Sequence, residues 1–150
     1  MKLIRSRFVA AAVAGLAGTA LFVPAANAGV ASFFYVESGN HCTGASFKYT
    51  YDTPKTVQGK TFWKIHLEGA LNDLCSDDGY GGEFQWEGHV VIGASYITFG
   101  WGTEWPTNPD NGTQSLLQDD GFYYADVHFR ACNHNPRTGT TGTCGTATGS

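Results

Sequence analysis

From Tyr123 to Ala131 the side chains change character at every step. Tyr123, Ala125, Val127, Phe129 and Ala131 alternate with Tyr124, Asp126, His128 and Arg130. In an extended strand successive side chains point to opposite faces, so a period of two marks a strand with one face buried and one wet. The same period recurs along most of the chain. Phe47, Tyr49 and Tyr51 alternate with Lys48 and Thr50, and Trp63, Ile65 and Leu67 with Lys64, His66 and Glu68. Phe84, Trp86, Val90 and Ile92 alternate with Glu83, Gln85, Glu87 and His89. Further strands are expected at 32–37, 95–101, 115–118 and 140–146. No segment keeps a helical period, and only 67–74 could form a helical turn or two.

The connections agree with this reading. Asp77-Asp78-Gly79, Asp110-Asn111-Gly112 and Asp119-Asp120-Gly121 are turn chemistry, because Gly and Asn tolerate positive φ. Gly93-Ala94-Ser95 between two apolar pairs predicts a tight hairpin. The expected fold is all-β: an antiparallel β-sandwich of seven or eight short strands, with a small β-barrel as the alternative. Trp63, Ile65, Phe84, Trp86, Val127 and Phe129 fall on its apolar faces and form the expected core.

Three cations, Lys2, Arg5 and Arg7, precede an apolar run from Phe8 to Val23, and Ala26-Asn27-Ala28 follows with small residues. That order predicts a secretory signal peptide over 1–28, cut after Ala28, with 29–150 as one secreted β domain. The run is shorter than the roughly 20 residues of a spanning helix and contains Gly15 and Gly18, which argues against a membrane anchor. A mobile Thr- and Gly-rich tail is expected from about residue 145.

The whole chain has 9 Lys and Arg against 13 Asp and Glu; with the three cations before Ala28 removed, six face thirteen, a net charge of −7. Such a surface repels phosphate backbones and anionic membranes, so neither is an expected partner.

Cys42, Cys75, Cys132 and Cys144 make an even set in a chain that reads as exported, where disulfides are the default. Three pairings are open; sequence-local closure favours Cys42–Cys75 with Cys132–Cys144. A zinc site using His41 and His134 is the rival, but no C-x-x-C or H-x-x-x-H spacing is present. No metal or cofactor is expected.

Catalytic constellations are weak. Glu83 and Glu87 share a strand face at a separation of roughly 13 Å, too far for a glycosidase pair. No G-x-S-x-G motif occurs. His66, His89 and His128 could form a proton-transfer cluster with Glu68, Glu87 and Asp126 if their strands adjoin. The simpler reading is a solvated face with cross-strand charge pairs.

The segment from Gly100 to Gly112 is the exception to strand periodicity, with two tryptophans in a Gly- and Pro-broken stretch. Exposed rings on a loop are costly unless they fold back or meet a partner. Trp101 and Trp105, with Glu104, Asn108, Asp110, Asn111 and Gln114, therefore form the candidate binding surface, suited to a sugar face or a protein. The competing reading has Trp101 plug the core from a strand end while Trp105 covers its rim.

Val127-His128-Phe129-Arg130-Ala131-Cys132, followed by Thr143-Cys144, resembles a group of small secreted β-sandwich proteins of actinobacteria. In these a late strand ending R-x-C is tied to a short final strand by a hairpin disulfide. The resemblance implies that fold detail and no activity; some such proteins resemble adaptors in toxin assemblies or protease inhibitors. The reading is a noncatalytic secreted module recognising an extracellular glycan or protein. The alternatives are an interaction subunit, such as an adaptor or a hydrolase inhibitor, and a small secreted hydrolase.

Overall fold

The computed structural model describes residues 31–102, 107 and 112–149; the expected signal segment lies outside them. Among the described residues nine antiparallel strands follow in order: β1 (Ala31–Glu37), β2 (Thr43–Val57), β3 (Lys60–Asp73), β4 (Gly81–Ile92), β5 (Ser95–Gly102), β6 (Thr113–Gln118), β7 (Tyr123–Asn135), β8 (Thr140–Cys144) and β9 (Thr148–Gly149). Among the described residues no helix is long and apolar enough to cross a membrane.

The strands form one ladder, β1-β2-β3-β7-β4-β5, with β6 on β3 and with β8 and β9 on β7. Strand β3 divides its free edge. Its start pairs with β7 at Trp63↔Tyr124 and Lys64↔Tyr123, and from Leu67 to Asn72 it pairs with β6 instead. The ladder thereby becomes two layers joined at one seam: β1-β2-β3-β6 against β5-β4-β7 with its late strands. This is the expected all-β sandwich. Its core sits where Phe47 and Tyr49 of β2, Leu67 and Leu71 of β3 and Leu116 of β6 meet Phe84, Trp86, Val127 and Phe129 of the second layer. Phe129 is the hub, with ring centroids 4.9 Å from Phe47, 5.2 Å from Tyr49 and 5.7 Å from Phe84.

Turn chemistry sets the register. The β4–β5 hairpin closes through Gly93 and Ala94, with Gly93 at φ 63°, which suits a right-twisted two-residue hairpin. The β2–β3 hairpin closes through Gln58 and Gly59, both at positive φ. Segment 67–74 is not helical: residues up to Asp73 continue β3, because β6 gives that stretch a second partner.

Two burial expectations are corrected. Trp63 is only half-buried, near the seam, edge-on to Tyr51 at 6.0 Å. Ile92, which alternation puts on the apolar face, is 51% exposed, whereas Val91 is buried: the tip of the β2–β3 hairpin folds over it and packs Val57 and Phe62 against Val91 and Ala125 in a second small core.

Both disulfides have the expected pairing, Cys42–Cys75 and Cys132–Cys144. The first ties the turn before β2 to the end of β3. The second ties β7 to β8, where Cys132 and Cys144 are register partners. Beyond it, the segment read from sequence as a tail carries β9, paired to β7 at His128 and Phe129. Gly145 donates its N–H to the Ala131 carbonyl at 2.9 Å. A methyl group on Gly145 would come within 1.6 Å of the Glu37 carbonyl oxygen.

Candidate functional site

The outward face of the second layer is built by register. Along β4 and β7, Gly81 faces His134, Glu83 faces Cys132, Gln85 faces Arg130 and Glu87 faces His128. Strand β8 extends the row, placing Thr141 opposite His134. Sequence periodicity marks this face as wet, and for part of its length it is not. Glu83 is 1% exposed and Gln85 3%.

A buried carboxylate is costly unless it is bonded. Here Glu83 Oε1 accepts Gln85 Nε2 at 2.7 Å, and Oε2 accepts Thr141 Oγ1 at 2.7 Å, with His134 Nδ1 at 3.6 Å. Gln85 passes the constraint on, because its Oε1 accepts both Nε and Nη2 of Arg130, at 2.9 and 2.6 Å. The guanidinium in turn lies over the indole of Trp101, 4.1 Å from the ring centroid. Charge-assisted bonds and a ring contact thus fix a planar cation on a half-buried tryptophan. A bulge in β5 opposite Glu87 turns Trp101 to this side, while Phe99 packs inward on Trp86 at 4.9 Å.

Of the loop residues expected to bind, Trp101 belongs to this site. Gln114 does not. It lies half-buried on β6 in the other layer, opposite Leu71. Glu104, Trp105, Asn108, Asp110 and Asn111 lie outside the described residues, although Thr107 forms a bridge with Glu83 and so runs beside β4.

The histidines separate into pairs. His66 lies in the first layer, 3.2 Å from Glu68 and 3.6 Å from Asp119. His89 and His128 lie on the second, 3.4 Å from Asp126 and 4.0 Å from Glu87 respectively. Asp126 also accepts Lys60 Nζ, and that bond holds its carboxyl below the usual range, with His89 and His128 adding to the effect. The four cysteine sulfurs are spent in disulfides, so they are not thiolate ligands.

Sequence reasoning missed Glu83, Gln85, Arg130 and His134 as a unit. One signal was present. Cys132 shares the parity of Arg130 and His134, and a half-cystine of a structural bridge is normally buried, so that row could not be a free wet face.

Comparison of the chain with family models, with curated proteins and with solved structures gave no match.

Proposed function

We propose that the protein is a secreted, noncatalytic binding module whose ligand docks on the Trp101–Arg130 stack and the loop that follows it. The observation that supports this most is the clamped guanidinium. Stacking and two hydrogen bonds donated to one amide oxygen hold Arg130 in a single orientation, and the chain of bonds runs back to a buried carboxylate. Nη1 has no partner among the described residues. Such an arrangement suits a flat, partly apolar surface carrying an acceptor, such as an acidic sugar or a protein segment with an acidic side chain. Two disulfides and the signal-like residues 1–28 support delivery to an oxidising compartment.

A second reading, an interaction subunit, is favoured by the outer face of the other layer. There Phe33, Lys48, Glu68 and Leu117 are register neighbours across four strands, with Phe33 80% and Leu117 66% exposed. Exposed apolar side chains of that kind mark protein contacts.

The test is a panel of acidic and neutral polysaccharides, with pull-down from native culture medium, run beside thermal denaturation. Trp101→Ala, Arg130→Lys and Trp105→Ala should each abolish capture. Trp105→Ala should melt with the parent, and the Arg130 and Trp101 variants should melt slightly lower. Capture equal to the parent in all three refutes the reading. Loss of capture only in Phe33→Ala moves the function to the other face.

A further inference from the structure

Between β5 and the turn joining β6 to β7, the open side of the sandwich leaves a cleft of about 400 Å³. Its floor is three rings in mutual contact. Trp86 lies 4.9 Å from both Phe99 and Tyr124, and Phe99 lies 6.0 Å from Tyr124. Ile92 and Phe122 stand at its rim, 51% and 50% exposed. Asp120 is the one charged side chain lining it among the described residues.

That carboxylate is held in place. Its Oδ1 accepts the Phe122 N–H at 2.8 Å, and its Oδ2 accepts the Tyr124 hydroxyl and Gln118 Nε2. A carboxylate has about four lone-pair positions, so three bonds leave one open, on Oδ1. Burial, and next the bond to Asp120, push the Tyr124 phenol well up, so it stays protonated and remains a donor to Asp120.

We propose that this cleft binds a small organic cation, an ammonium group on an apolar body, with the charge over the aromatic floor beside Asp120. Ring faces carry negative potential and attract a cation that leaves water. The carboxylate adds a fixed counter-charge that no described cation in the cleft neutralises. The volume lies within the range of small-ligand sites, and Ile92 and Phe122 would gain cover for surface now left to water. The excess of acids over bases in the chain raises the local concentration of cations. The cleft and the Trp101 stack lie on opposite faces of β5, so the two sites are separable.

The experiment titrates the full chain with benzyltrimethylammonium, uncharged benzyl alcohol and anionic phenylacetate, following tryptophan fluorescence and isothermal heat. The cation should saturate, binding about tenfold more tightly than the alcohol, and phenylacetate should not saturate. Asp120→Asn should bring the cation down to the alcohol's affinity. Ile92→Lys, an exposed rim change that sets a positive charge at the cleft and leaves the folding bonds of Asp120 intact, should weaken cation binding by more than it weakens alcohol binding. Trp101→Ala should change neither. Equal affinity for cation and alcohol, no saturation by the cation, or indifference to Ile92→Lys would each overturn the proposal.

Discussion

Thr141 Oγ1 reaches over β7 to donate a 2.7 Å hydrogen bond to Glu83 Oε2, so β8 and β4 are joined across the strand that separates them. The bond is possible because Cys132–Cys144 holds β8 in register. Glu83 is thereby an interior acceptor on a face that periodicity assigns to solvent.

Glu83→Ala leaves the Gln85 amide and the Thr141 hydroxyl without their acceptor. It should cost about 2–4 kcal/mol in urea denaturation, against about 1 kcal/mol for Thr141→Val. A Glu83→Ala protein within about 0.5 kcal/mol of the parent would show that the carboxylate is not integral to the fold.

Opening the second bridge should act twice. Replacing Cys132 and Cys144 together by Ala should cost about 2–5 kcal/mol, the usual range for a disulfide in a small secreted domain. It should also speed amide exchange at Thr141 and Thr143 more than at Phe47 or Leu67, since β8 loses its anchor and the core does not. Hydrogen exchange read residue by residue checks this, and uniform acceleration counts against it.

Phe129 and Leu117 differ in burial, 0% against 66% exposed, and should differ in cost. Phe129→Ala removes the hub of four ring contacts and should cost about 3–5 kcal/mol. Leu117→Ala should remain within about 0.5 kcal/mol. Comparable losses would mean that the layers pack differently.

The pH dependence follows from Asp126, whose folded carboxyl titrates below its unfolded value because Lys60 is bonded to it. A depressed acid contributes its stability above the unfolded aspartate pKa, about 3.9, and loses it as pH falls through the folded one. The urea midpoint should therefore decline below about pH 4, and Lys60→Met should flatten part of that decline. The carboxylate is 59% exposed, so the effect is small and should shrink further with added salt. An unchanged acid limb in Lys60→Met would remove Asp126 from the account.

Much of the architecture was legible because packing followed periodicity: Phe47, Tyr49, Phe84 and Phe129 point inward from strands that their alternation marks. Legibility failed where something other than water covers the second face. Val91 is buried because a hairpin far earlier in the chain folds over it, and Glu83 because a later strand is clamped beside it. Neither cover is visible in a local window. The candidate site was half legible. Trp101 stood out as a ring at a strand end, but its partner Arg130 looked like one more solvated residue of β7.

The close approach of Gly145 to Glu37 has a consequence for when this protein can exist during its own synthesis. A chain made from its N-terminus has β1 to β4 in hand long before β7, β8 and β9, and β4 has no inner neighbour until β7 arrives. The end of β1 is met only later by Gly145, which also holds the Ala131 carbonyl. Pairings between such distant positions are slow to form and leave strand edges open meanwhile. A chain released short of Cys144 should therefore persist as a sticky intermediate, and chaperone dependence should end only with the last few residues.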